Sequence, residues 1–476
     1  MNKRGGFAPV ESSFQENLWY INLLFSGGVN MTTYLDTYKK RTTRSEHLFK
    51  RAKQVIPGGV THNYHYFPPY PVFVKGAKGS KFWDVDGNEY VDFWMGNFTH
   101  ILGHHPHIIV EAVEQELKEG IHWGIVFEKM VEWAEIIQKW VPCAESVRFC
   151  CSGTEATMYA VRLARAFTGK NTILKMGGGW HGANPDLTLA IKWPYDQSES
   201  LGLEPELAQH TKVLLFNDVE RSLKIIHENK DDLAGIIFEA VIGEGGFIPP
   251  AEEYIRMLRS ETKKCGALLI LDEIISGFRL ALGGAQERFK ITPDIATLGK
   301  ITGGGFPVGA VVGKKEILEM TAADRKGKKS ERTLIGGGTF SAHPCTAAAG
   351  LAMIHYLKDH AHEVYPLLEA RGEKVRKGVQ EAMGRNGVPC FVTGAGSLFQ
   401  THFPIKDKVI LNSPQALNEF TDTEKREVEF KVRMLTKGVH VVHGGGAVSL
   451  AHSDTDIQKT IEAAGEVAKD MVREQK

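Results

Sequence analysis

Short apolar runs, separated by longer amphipathic stretches, set the rhythm of this chain from about residue 93 to residue 345. Residues 146–149, 213–216, 235–238, 267–271 and 295–298 read as short apolar strands. Between two of them, Ala156, Ala160, Leu163, Ala164 and Phe167 recur at helical spacing, and Ser152 with Glu155 has the spacing of a capping box. A helix with its N-cap at Ser152 follows. Strand–helix alternation of this kind predicts an α/β fold with a doubly wound, mostly parallel sheet. Residues 31–92 predict a starting helix and a small strand region, with a hairpin turn over Trp83-Asp84-Val85-Asp86-Gly87. Residues 346–476 open with a helix over 346–357, pass a strand-like stretch at 397–403 and close with a helix after Asp454. They read as a smaller C-terminal α/β domain behind a large one at 93–345. Residues 1–30 stand apart. Their apolar stretch at 18–25 is interrupted by Asn22 and is too short to span a bilayer. They read as a disordered leader or a non-native start, with Met31 as the natural one.

Composition removes several classes of function. The 57 basic residues balance the 57 acidic ones, so nothing points to nucleic acid or to an acidic membrane surface. Six cysteines form no CxxC pattern, and the adjacent Cys150 and Cys151 do not readily bridge each other, which fits a reducing, cytoplasmic setting. His100, His104, His105 and His107 lie close together but lack a definite zinc ligand set, so no metal is expected.

The chemistry concentrates in a few glycine-flanked segments. Residues 297–305, Thr-Leu-Gly-Lys-Ile-Thr-Gly-Gly-Gly, set Lys300 between an apolar run and a glycine-rich turn, and residues 267–273 end a buried strand in Asp272-Glu273. A lysine and an acid at strand C-termini stand where open α/β sheets bind ligands. They are also the two groups pyridoxal phosphate (PLP) requires, one for its imine and one for its ring nitrogen. Taken singly, the lysine also reads as a solvated loop residue and the acids as a polar strand end or metal ligands. Gly153, Thr154 and the helix N-terminus at Ser152 suit a phosphate. Trp180, with His181 on the glycine loop 177–182, offers a ring to a planar cofactor. Gly336-Gly337-Gly338-Thr339 offers backbone N–H groups and a hydroxyl. Each of these three segments also has a plain structural reading, as a cap, a packed loop and a linker.

Together these motifs resemble the class III (subgroup II) PLP-dependent aminotransferases, most closely the branch that contains glutamate-1-semialdehyde aminomutase. The resemblance runs from about Leu48 to the end through Ile56-Pro57-Gly58-Gly59-Val60, Ile101-Leu102-Gly103-His104, Ser152-Gly153-Thr154-Glu155-Ala156-Thr157, Leu271-Asp272-Glu273 with Gly277-Phe278-Arg279, Thr297-Leu298-Gly299-Lys300 and Val448-Ser449-Leu450-Ala451-His452. It implies PLP-dependent fold type I, with a seven-stranded-type sheet between helices. It also implies Lys300 as the imine-forming lysine and proton carrier, Asp272 on the ring nitrogen, and Ile274 and Trp180 on the two ring faces. Ser152, Gly153, Thr154 and His181 would complete the cofactor site, Glu239 would position the network, and Thr339 would reach a neighbouring subunit's site in a homodimer.

The substrate side departs from the aminomutase pattern. His65 stands near the position of the substrate-binding arginine, Asn97 replaces a tryptophan, and Glu244 replaces an asparagine. A mostly neutral histidine does not clamp a carboxylate as arginine does. Tyr64, Tyr66, Phe67 and Tyr70 either line an aromatic entrance or pack the N-terminal segment down. The expected activity is therefore a transaminase, moving an amino group from an amine or (β-)amino acid to a keto acid or aldehyde by ping-pong half-reactions. The alternatives are the 2,1-aminomutase reaction, or racemisation or epimerisation of an amino compound.

Overall fold

The computed structural model describes residues 33–196, 200–204, 206, 209–328, 331–407 and 409–474. The leader expected at 1–30 lies outside the described residues. Three strands come first: β1 (Val74–Lys78), β2 (Lys81–Asp84) and β3 (Glu89–Asp92). The predicted hairpin turn joins β2 to β3. Seven more follow: β4 (Ser146–Cys150), β5 (Thr172–Met176), β6 (Thr211–Leu214), β7 (Leu233–Glu239), β8 (Leu268–Asp272), β9 (Ile295–Gly299) and β10 (Gly309–Gly313). The C-terminal part adds β11 (Phe391–Thr393), β12 (Leu398–His402), β13 (Val439–His440) and β14 (Gly445–Ala447).

The central sheet has seven strands in the order β4-β10-β9-β8-β7-β5-β6. All its pairings are parallel except those of β10, which runs antiparallel to both neighbours. Every residue of β7, β8 and β9 is buried, as strands covered on both faces require. The helix Gly153–Thr168 packs Ala156, Tyr159, Ala160, Val161, Leu163 and Ala164 inward and ends on Gly169 in the left-handed conformation (φ 69°). Its N-cap is Ser152, whose Oγ accepts from Glu155 N at 3.2 Å. The box itself is shifted: the Glu155 carboxylate accepts from Cys151 N at 2.6 Å and not from the cap residue.

Three strand positions differ from the sequence reading, each for a physical reason. The strand expected at 213–216 lies at Thr211–Leu214. As the sheet's edge strand it exposes Lys212, so its apolar run begins late. β5 escaped notice because Lys175 interrupts it. That lysine is fully buried, and its ammonium donates to the carbonyls of Gly179 (3.0 Å) and Leu187 (3.1 Å). β10, framed by Gly309 and Gly313, is not among the strands read from sequence.

The small sheet β11-β12-β14 carries the helix Ala361–Arg385, which packs against the closing helix Asp454–Glu474. The boundary drawn at 345/346 falls near the start of the continuous helix Pro344–Asp359. β13 returns to pair in parallel with β3, tying the C-terminal part to the N-terminal sheet. Phe67 and Tyr70 are buried there with Tyr38 and Phe49, so these two rings of the aromatic loop pack the N-terminal segment down.

Candidate active site

Strand register assembles the polar centre. Glu239 pairs with Asp272 across β7 and β8, and Asp272 with Thr297 across β8 and β9. The C-terminal ends of three adjacent strands therefore present Glu239, Asp272 and Lys300 side by side. The chain turns sharply at Lys300 itself, whose φ is 49°. A non-glycine residue in the left-handed region is costly and marks a place where side-chain position matters.

Asp272 is buried and fully oriented. Its Oδ1 accepts from Ile274 N (3.0 Å) and Thr297 Oγ1 (3.1 Å), and its Oδ2 accepts from His181 Nδ1 (2.7 Å). Burial holds the His181 pKa below its ordinary value even though Asp272 opposes this. Glu239 accepts from Trp180 N and Gly243 N, each at 3.0 Å. Its pKa is raised, by burial first and by Asp272 second. Burial also lowers the Lys300 ammonium to about 8, against the pull of Asp272 and Glu239. A neutral, nucleophilic amine is thus accessible near physiological pH.

Two cavities meet at this centre. One, of about 200 Å³, is lined by Gly153, Thr154, Trp180, His181, Asp272, Ile274 and Lys300, among others. Ser152 is absent from that lining and acts as the helix cap. The cavity fits a flat, phosphate-bearing ring. The helix N-terminus, through Gly153 and Thr154, and Asp272 both line it, and Gly153 leaves room where a Cβ would stand 3.1 Å from Ile274 Cδ1. The other cavity, of about 250 Å³, shares Trp180, Glu239, Ile275 and Lys300 and adds His62, Tyr64, Asn97, Glu244, Gln400 and His443. Burial, with Glu244 alongside, raises the Tyr64 phenol well above its ordinary value.

His65 is the exception among the expected substrate-side residues. It lines a separate cavity of about 450 Å³ with Phe67, Lys431 and His440, on the far side of Tyr64. The short helical turn Asn63–His65 carries neighbouring side chains to different faces, so His62 enters the substrate-side cavity instead. Thr339 is exposed and lines neither site cavity. Arg279 is fully buried and donates to Ser397 Oγ (3.1 Å) and the Phe98 carbonyl, a structural use. His104 donates to Asp92 (2.8 Å), and no metal-holding group of three His, Cys, Asp or Glu occurs among the described residues. His62, Gln400 and His443 escaped the sequence reading. His443-Gly444 had the one readable signal, as a possible tight turn between short apolar runs.

The class-III aminotransferase model matches residues 63–462. The chain belongs to the class-III aminotransferases. A curated relative from Methanosphaera stadtmanae, named glutamate-1-semialdehyde 2,1-aminomutase, is 40% identical over 425 residues, covering 88% of this chain and 97% of its own. An omega-transaminase structure from Sphaerobacter thermophilus superposes with a TM-score of 0.83 at 31% identity, covering 91% of this chain and 99% of that one. A structure described as a transaminase with PLP bound gives a TM-score of 0.82 at 30% identity, covering 91% and 99%. This class-III aminotransferase is a PLP-dependent enzyme, and the fold expected from its motifs is the family's fold. No helix among its described residues is long and apolar enough to cross a membrane.

Proposed function

We propose that this class-III aminotransferase exchanges an amino group and a carbonyl on a small amino-acid substrate, in the manner of its aminomutase-named relatives. That order reverses the one expected from the motifs, where intermolecular transamination came first. What supports it is the 40% identity over nearly the whole length of such a relative, combined with Lys300 and Glu239 in the wall of a cavity of about 250 Å³ sized for a small substrate, next to the cavity that Asp272 lines. Bound PLP supplies an electron sink for the bond-breaking at the substrate carbon. The chain's own residues then divide the remaining work. With PLP bound, Lys300 would hold the cofactor and carry the proton between substrate carbons. Asp272 would pair with the ring nitrogen, and Ile274 and Trp180, which line the same cavity, would cover the ring. Gly153 and Thr154 take the phosphate, joined by Thr339 from a second copy of the chain. His181 fixes Asp272, and Glu239 fixes the loop that carries Trp180. We also read the enzyme as cytoplasmic, since all six cysteines are unpaired.

Intermolecular transamination is the second reading, favoured by Asn97 and Glu244 in the cavity wall where the aminomutase pattern differs. Single-turnover absorbance of the PLP-loaded enzyme separates the two. The donor panel is an arylalkyl amine, an aromatic β-amino acid, alanine and the diamino acid related to glutamate semialdehyde. Response to the diamino acid alone, with aminolevulinate formed from glutamate semialdehyde, supports the aminomutase. Response to other donors with recovery on adding pyruvate makes the enzyme a transaminase. Loss of chirality in a recovered donor identifies a racemase.

A further inference from the structure

A tight turn closes one side of the substrate cavity. Val442 and Gly445 exchange both backbone hydrogen bonds across it, at 2.9 and 3.0 Å. Its central residues, His443 and Gly444, both have left-handed backbones, with φ of 53° and 74°. Turns of this kind favour Asn, Asp or Gly at the first central position. A histidine there carries strain that the surroundings must offset.

Those surroundings fix the ring from several sides. His443 Nδ1 donates to Glu427 Oε2 at 2.8 Å, and Arg426 Nε secures the other oxygen of that carboxylate at 2.9 Å. Gln400 Nε2 donates to the His443 carbonyl at 2.7 Å, and the Tyr64 ring meets the imidazole edge-on at 4.9 Å. With Nδ1 committed, only Nε2 is left for a ligand. It is buried, on a residue lining the cavity, and has no hydrogen-bond partner among the described residues. Gln400 Oε1, on the same wall, is likewise unpartnered. Buried polar atoms are nearly always satisfied, so the unpartnered Nε2–H points to an acceptor on a missing ligand, while Gln400 Oε1, itself an acceptor, calls for a donor and not for a carboxylate.

We propose that His443, oriented by Glu427, binds the carboxylate of the substrate through its Nε2–H. The cavity lining offers no arginine for that purpose, and its lysine, Lys300, is committed to the cofactor. The proposal rests on the amino-acid reading given above and names the group that recognises the acid end. The charge state agrees. Burial and Lys431 oppose the imidazolium, but Glu427 and Glu244 outweigh them and raise its pKa above the ordinary value. Tyr64, His62, Glu239 and Lys300 are the other titratable groups in the wall of this cavity. Glu427 is a positioning residue, which holds the ring and favours its charge without touching substrate.

The test uses PLP-loaded enzyme and a matched donor pair, alanine and isopropylamine, which differ by a carboxylate. It adds calorimetric titration with glutarate as a carboxylate probe independent of turnover. His443→Gln is expected to weaken alanine and glutarate roughly tenfold to a hundredfold, with isopropylamine changed by less than about twofold. Glu427→Gln should weaken glutarate less, and the loss of binding on raising pH should move to lower pH as the imidazole becomes less basic. Equal weakening of both donors makes His443 merely structural and overturns the proposal. So does unchanged glutarate affinity in His443→Gln, or no glutarate binding to the wild type. If neither donor alters the wild-type absorbance, the intermolecular transaminase reading fails by itself while the aminomutase reading stands, and the glutarate titration still decides the role of His443.

Discussion

At the scale of single residues, Lys300 makes the sharpest prediction because its burial has two separable consequences. Lys300→Met is expected to abolish turnover and the absorbance of covalently held cofactor while leaving the fold intact. It should also stabilise the cofactor-free protein. The folded-state pKa falls to about 8 from 10.5, so near pH 7 the folded protein bears the cost of a buried ammonium that the unfolded chain does not. Between about 8 and 10.5 the unfolded state binds more protons, and wild-type stability therefore rises with pH across that window. The variant should be more stable by roughly 1–3 kcal/mol at pH 7, with the gap closing towards pH 10. Denaturant melts of both cofactor-free proteins at several pH values check the sign, and a gap that widens with pH would refute it. His65 yields a second prediction. From sequence, it stands near the position of the substrate-binding arginine of the aminomutase pattern. The structure sets it in the neighbouring cavity, beyond Tyr64. His65→Gln should now change KM by less than about twofold for donors with or without a carboxylate. A selective tenfold change for the carboxylate donors would return His65 to the substrate site.

At the scale of elements, the helix Gly153–Thr168 joins fold to chemistry through its first turn. Ser152 Oγ satisfies one of its free N–H groups, leaving the Gly153 and Thr154 end open beside the cofactor-sized cavity. Ser152→Ala is expected to cost about 1 kcal/mol in stability and to weaken PLP binding by loosening that turn. Thermal melts and cofactor titration read the two effects separately, and an unchanged PLP affinity would confine Ser152 to the cap alone. The same helix shows what sequence can disclose. Its apolar period and cap were readable because both are local, as were the acid ending β8 and the glycines after Lys300. Other features depend on distant partners. Lys175 looks like an interruption until the carbonyls of Gly179 and Leu187 surround it. His443 looks like a loop residue until Glu427 and the cavity give its two nitrogens different fates. The cofactor centre is read from short motifs at the C-terminal ends of adjacent central strands. The substrate end is built from turns brought together by tertiary folding, which periodicity does not encode.

At the scale of the whole molecule, several large apolar side chains are exposed around one loop. Ile121 (74% exposed), Ile125 (72%) and Val126 (76%) stand on the loop before the helix Glu128–Trp140, and Phe340 (58%) approaches the same segment, its ring 5.3 Å from His122. Exposed apolar side chains gathered in this way fit the proposed second copy of the chain. Thr339, adjacent to Phe340, is exposed and away from its own cavities, as a residue serving a second copy would be. The proposed homodimer therefore predicts a coupling between assembly and cofactor binding that can be dissected. Phe340→Glu is expected to shift the protein from dimer to monomer in analytical ultracentrifugation and to weaken PLP binding with it, because each site loses the other subunit's loop. Thr339→Ala should leave the dimer intact and weaken PLP by about tenfold, the loss of a hydrogen bond to a charged phosphate. A dimeric Thr339→Ala with wild-type affinity would leave the interface standing but remove the shared site. A Phe340→Glu monomer that binds PLP as tightly as wild type would show that each chain builds its cofactor site alone.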